Sequence, residues 1–133
     1  MRSQHNAFHL AIPARDLAES EEFYVIKLGC HLARRYADRI TLDFFGDQVV
    51  CHLAPDTPVQ TPRLYPRHFG VTFRDGADFD SLLRLVEIRD VPIFMKPQLR
   101  FEGTVEEHRT MVLQDPSDNL LEFKHYVDPR MMY

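Results

Sequence analysis

Basic charge is what this sequence lacks first: 16 Lys and Arg stand against 20 Asp and Glu, for a net charge of -4 and a pI near 5.9. Nucleic-acid binders carry a basic face that neutralises phosphates, so that class is excluded and a small molecule becomes the expected partner. Apolar runs are short as well, and none approaches the roughly 18 residues a membrane span needs. The N-terminal stretch MRSQHNAFH has no basic-then-apolar-then-small layout of a secretory leader, so the expected location is cytoplasmic, with no membrane partner. Cysteine is nearly missing. Cys30 and Cys51 form neither a C-x-x-C pair nor a disulfide framework, and are read as buried free thiols of a reducing compartment.

What is present is an ordinary globular composition, 44% hydrophobic and 27% charged over 133 residues, enough for one core or for two small modules sharing one. A repeat decides between these. FHLAIPARD, Phe8 to Asp16, is echoed by RHFGVTFRD, Arg67 to Asp75: a His, an Ile or Val three residues on, then Arg-Asp.

The residues after each copy are also alike. Behind the first, DLAESEEFYVIKLG reads as a helix capped by Asp16, with Glu19 at the capping-box position and Gly29 as the left-handed stop. Three strand-like runs come next, CHLARRYA, RITLDFF and QVVCHLA, the last two split by a turn at Gly46-Asp47. Residues 55–63, PDTPVQTPR, read as a surface linker. The second cycle has a helix over about Ala77 to Arg89, with Phe79, Leu82, Leu83 and Val86 on one face. Strands come after it around VPIFMK, EEHRTMVL and NLLEFKHY, and PQLRFEGTVEE reads as a loop or an extended strand pair. The whole is two βαβββ modules, 6–54 and 64–126, with a tail over 127–133 that folds back on the body.

Alternate side chains of a strand face opposite sides, which sorts each copy. Phe8, Leu10 and Ile12 oppose His9 and Ala11; Phe69, Val71 and Phe73 oppose His68, Gly70 and Thr72. In the last strands, Leu121 and Phe123 oppose Glu122, while Val49, Cys51 and Leu53 oppose Val50 and His52. Overlaying CHL on LEF sets His52 against Glu122; counting from the preceding turn sets Cys51 there instead. Two histidines and a carboxylate on one kind of face suit a divalent first-row metal held by His9, His68 and Glu122, with His52 as a fourth ligand.

These modules, with a His opening each and the ending Asp115-Pro116-Ser117-Asp118-Asn119-Leu120-Leu121-Glu122-Phe123, resemble the vicinal oxygen chelate superfamily. That superfamily includes glyoxalase I, extradiol dioxygenases, fosfomycin-resistance transferases, methylmalonyl-CoA epimerases and bleomycin-resistance proteins. The resemblance covers about residues 6 to 126. It implies an α+β fold in which tandem βαβββ modules form a pair of curved, open mixed-sheet half-barrels with helices outside and a metal site on the concave faces. By position it implies His9, His68 and Glu122 as ligands, and His52 at the place where glyoxalase I carries Glu. Val112 stands where extradiol enzymes carry a tyrosine.

The implied activity is metal-dependent dioxygenase or lyase/isomerase chemistry on a small molecule with vicinal oxygens, the ion being Fe2+, Mn2+, Ni2+ or Zn2+. The alternative is a bleomycin-resistance-type protein that sequesters a ligand without turnover. His108 is the candidate for proton transfer beside Glu122. Arg35, Arg100 and Tyr36 are candidate substrate contacts, with Arg34, Arg39, Phe45 and Tyr126 on neighbouring walls. A homodimer is expected, and the site is built either within one chain or across two.

Overall fold

Both Arg-Asp corners start helices. In the computed structural model, which describes residues 3–133, the first module runs β1 (His9–Ala14), α1 (Leu17–Glu21), β2 (His31–Arg35), β3 (Arg39–Phe44) and β4 (Asp47–Leu53). The second runs β5 (Phe69–Phe73), α2 (Gly76–Ile88), β6 (Ile93–Arg100), β7 (His108–Gln114) and β8 (Leu120–Tyr126). Asp16 accepts from the Glu19 N–H and Asp75 from the Ala77 N–H, satisfying donors that a helix start leaves free.

The first helix departs from expectation. After Glu21 it widens into a π-helical segment, Glu22–Lys27, and the wider turn lets the adjacent Phe23 and Tyr24 both enter the core. Gly29, at φ +85°, then stops it as expected. The β3–β4 turn falls one residue earlier than the sequence reading places it. Phe45 and Gly46 both take positive φ, as a tight hairpin requires, and Asp47 already belongs to the strand.

The linker region likewise extends past residue 63, so that His68 precedes β5 rather than lying in it. PQLR continues β6, with a register shift between Met95 and Gln98 that accommodates Pro97 on this edge strand. The tail ends in a 3-10 turn, Pro129–Met132, and the Tyr133 hydroxyl accepts from Arg74 at 2.8 Å.

Each module is a four-stranded mixed sheet, ordered β1-β4-β3-β2 and β5-β8-β7-β6, with its first and last strands paired in parallel. The two sheets stay open, and the modules meet through their helix-facing sides. Phe44 and Phe45 of the first reach Phe69, Phe73 and Phe123 of the second at ring separations of 5.5 to 6.3 Å. One core cluster runs through both modules, from Ile12 and Tyr24 to Phe79 and Phe123. At one margin, Lys27 donates to the Asp90 carbonyl and Arg89 to that of Ile26.

At another margin the turn before β8 docks on the β1–α1 corner. Asp115 accepts from the Ser117 and Asn119 N–H groups, from the Asn119 amide, and from the buried Tyr24 hydroxyl at 2.8 Å. Asn119 also donates to the Pro13 carbonyl, and Arg15 binds the Pro116 carbonyl, the Ser117 hydroxyl and the Asp118 carboxylate. Arg15, which the sequence shows only as part of the repeated Arg-Asp pair, is thus an inter-module clamp. Burial raises Asp115 above the usual carboxylate range against the lowering effect of its donors, and burial with Asp115 beside it raises Tyr24. Burial also pushes Cys30 and Cys51 up to about 12, so both remain unreactive thiols.

Tyr24→Phe is expected to cost about 1–3 kcal/mol and Asp115→Ala about 2–4 kcal/mol in denaturant unfolding, because each strands buried partners. The pH dependence has a definite sign. With its folded-state pKa raised, Asp115 contributes fully below about pH 3.8, and that contribution declines as pH rises through the folded value. This decline is expected to disappear from the pH–stability curve of Asp115→Asn.

Candidate metal centre

With the helix sides joined, the opposite faces of the two sheets point away from each other. In antiparallel pairs, directly opposed residues share a face, so the register maps each outer face row by row. In the second module one row is Gly70, Glu122, Val112 and Met95; the next is Thr72, Lys124, Thr110 and Gln98; the third is Tyr126, His108 and Arg100. In the first, His9 shares a row with Gln48, Asp43 and His31; Ala11 with Val50, Thr41 and Arg34; and Pro13 with His52 and Arg39.

His68 and Glu122 form a close pair. Nε2 of His68 is 2.9 Å from Oε2 of Glu122, whose side chain is 7% exposed. The other ring nitrogen, Nδ1, donates to the Leu64 carbonyl at 2.7 Å. That carbonyl can only accept, so Nδ1 carries the ring proton. Nε2 and Oε2 are then both acceptors, and a proton or a cation must bridge them. The Thr110 hydroxyl donates to Oε1 at 2.8 Å and holds the carboxylate plane, and Lys124 Nζ lies 3.2 Å from Oε2.

His9 stands on the exposed face of β1, with Nδ1 2.5 Å from Gln48 Oε1. Here too the oxygen accepts and Nε2 is left free. Gly70 makes the close packing of β5 on β8 workable, since a Cβ built there would lie 1.7 Å from the Glu122 carbonyl oxygen.

Two features here are of the kind metal ligands have. Metal-bound histidines characteristically commit the second nitrogen to an oxygen acceptor, as both do here. Two ligands about 2.1 Å from one ion at a right angle stand about 3 Å apart, which is the His68–Glu122 spacing. Yet among the described residues no three His, Cys, Asp or Glu side chains converge as a metal site, because His9 lies on the other module's outward face.

The register revises several expectations. Ala11 corresponds to Gly70 in the repeat and pairs with Val50, as Gly70 pairs with Glu122, so Val50 occupies the place equivalent to Glu122. His52 shares the face but lies one pleat further on, roughly 6.6 Å. The CHL-on-LEF overlay failed because β4 enters its sheet one residue early relative to its turn, and Cys51 faces the core.

His108 is buried between Phe101 and Tyr126, with Nδ1 on the Glu106 carbonyl, in a row four residues along β7 from the one containing Glu122, roughly 13 Å. It is not beside Glu122. A register shift in β2 turns Arg35 to the helix side, where it pairs with Glu21. Arg100 does share the outer face, over the Phe101 ring. Tyr36 lies under the Arg39 guanidinium at 4.1 Å, at the far margin of the first module. Phe45 belongs to the inter-module aromatic cluster.

Lys124, Thr110 and Gln48 are the polar partners that sequence reasoning assigned no role. Lys124 was accessible to it, since alternation places residue 124 on the face of residue 122.

Comparison with known proteins bears on the family and the fold. The family model of the Glyoxalase/Bleomycin resistance protein/Dioxygenase superfamily matches residues 7–123. A crystal structure described as a glyoxalase/bleomycin resistance protein/dioxygenase from Alicyclobacillus acidocaldarius is 60% identical, with all of both chains covered and a TM-score of 0.94. The lactoylglutathione lyase from Agrobacterium tumefaciens shares the fold at 16% identity and TM-score 0.69, over 97% of this chain and 98% of that one. A glyoxalase/dioxygenase from Nostoc punctiforme shares it at 17% and 0.66, over 92% and 91%. No curated protein sequence matches the chain.

In Gln48→Leu, the His9 ring is expected to lose its preference for the Nδ1–H tautomer, read from long-range 1H–15N correlations of the ring nitrogens, while His68 keeps its own.

Proposed function

Because the chain belongs to the Glyoxalase/Bleomycin resistance protein/Dioxygenase superfamily, we propose that it is a metal-dependent enzyme whose site joins His9 of one copy to His68 and Glu122 of a second. The observation that carries this reading is the His68–Glu122 pair, oriented by Leu64 and Thr110 and spaced like neighbouring ligands of one ion. The two-copy arrangement rests on the outward faces. His9 and the His68–Glu122 pair stand on opposite sides of one chain, and a two-fold pair that sets each first-module face against a second-module face unites them twice.

A bound divalent ion would supply Lewis acidity toward two neighbouring oxygens of a small molecule. The chain's own residues do the rest. Thr110 and Leu64 fix the donors, and Gly70, Val112 and Val50 keep the immediate surroundings small and apolar. Val50 at the fourth place leaves three protein donors and open positions, a set that suits ferrous iron and oxygen chemistry. Glu122 is the carboxylate left for proton transfer if the reaction is a lyase or isomerase step.

Protein purified without chelator is expected to carry about one first-row divalent ion per chain, with affinity falling about 10–100-fold or more in His9→Ala, His68→Ala and Glu122→Ala. Metal-free protein whose His9→Ala and Glu122→Ala variants bind a small-molecule ligand normally would instead favour a sequestering protein. Mixing tests the two-copy site directly. After subunit exchange between His9→Ala and Glu122→Ala, heterodimers regain one intact site, so about a quarter of wild-type metal binding returns; a site within one chain restores none.

A further inference from the structure

At the far end of the second module's outer face, four side chains keep polar and aromatic groups that the fold leaves unused. His108 is 8% exposed, and its Nδ1 donates to the Glu106 carbonyl at 2.8 Å, which makes Nε2 an acceptor. That nitrogen has no partner among the described residues. Since none of their buried side-chain nitrogens or oxygens is left unpaired, Nε2 is open to solvent. The rings of Phe101 and Tyr126 flank the imidazole at 5.7 and 4.6 Å, and the Tyr126 hydroxyl is likewise unbonded among the described residues. Register sets Arg100 directly across from His108. Its guanidinium lies 5.7 Å from the Phe101 ring and pairs with no carboxylate of the described residues, those of the adjoining loop, Glu102, Glu106 and Glu107, included.

Phe101 is the strained member. It takes φ +52°, a conformation that a bulky side chain disfavours and that glycine or asparagine adopts readily, and it still leaves its ring 52% exposed. The loop is fastened in this form: the Thr104 N–H and hydroxyl both donate to the Phe101 carbonyl, at 3.1 and 2.8 Å, and the Gly103 N–H donates to the Glu107 carboxylate at 2.7 Å. An aromatic ledge with a fixed acceptor nitrogen behind it and a free guanidinium at its rim matches a flat ring that bears an N–H or O–H donor on one edge and a carboxylate on another. We propose that Phe101, His108, Tyr126 and Arg100 form a recognition site for a small aromatic acid of this kind. The ring lies against Phe101 and Tyr126, its donor meets Nε2 of His108, and its carboxylate meets Arg100. The site stands roughly 13 Å along β7 from the row of Glu122, and its binding requires no metal ion.

Indole-5-carboxylate serves as the probe, titrated calorimetrically into protein kept in EDTA beside two analogues: benzofuran-5-carboxylate, which lacks the N–H, and indole-5-carboxamide, which lacks the charge. The wild-type protein is expected to bind the probe with a Kd of about 1 mM or tighter, and each analogue about fivefold or more weakly. Arg100→Gln, at an exposed position, is expected to bring the probe down to the carboxamide's affinity and leave the carboxamide unchanged. His108→Phe is expected to bring it down to that of the benzofuran acid, and Phe101→Ala to weaken all three ligands. Wild-type protein that binds none of them, or an Arg100→Gln variant that loses charged and uncharged ligands equally, overturns the site. Either result leaves the metal reading standing, and protein that takes up no metal yet binds the probe as described keeps this site.

Discussion

The buried carboxylate of Asp115 is the hinge of this architecture. Its donors come from its own turn and from Tyr24 in the other module, so one side chain both shapes the turn before β8 and fastens that turn to the first helix. Arg15 and Asn119 reinforce the same junction across its rim. Because the modules are joined there and through the Phe44–Phe45 cluster, their greasy sides are consumed within the chain. Both histidine-bearing faces are consequently turned outward, in opposite directions. The separation of His9 from the His68–Glu122 pair is therefore a product of how the core closes.

Much of this could be read from the sequence, because strand alternation is a strict rule. His9 and Glu122 fall opposite the apolar residues of their strands and the register keeps them there, whereas His68 lies just before β5 and reaches Glu122 from outside the strand. The helix cap at Asp16 and the helix stop at Gly29 are short-range chemistry and were equally visible. Register was less so. Alternation tells which face a residue takes but not how far along the sheet it lies, and His52 and His108 share the right face at the wrong distance. Only pairing partners fix that distance, and those depend on where each hairpin turns. Arg35 shows a second limit: a bulge between Leu32 and Arg34 shifts the parity of everything after it, and nothing in CHLARRYA announces one.

The electrostatics arise from the same layout. The chain is acidic overall, yet the three rows around Glu122 hold a single acid with Lys124 and Arg100 as the cations. Net charge describes the protein's dealings with solvent and bulk partners, whereas a pocket responds to the few groups within a few ångströms. Lys124 went unassigned in the sequence because a lysine near the end of an edge-proximal strand is ordinarily solvated. Its proximity to Oε2 of Glu122 becomes visible only when both side chains have positions.

Gly70 gives the two halves of the duplicated pattern different constraints. Its counterpart, Ala11, carries a methyl group on an open face, while at position 70 the Glu122 carbonyl oxygen already fills the space a methyl would need. Even the smallest side chain there would act as a wedge, prising β5 from β8 and spreading His68 from Glu122. The spacing between those two side chains thus depends on an atom that is missing, a requirement that Ala11 in the first module does not share.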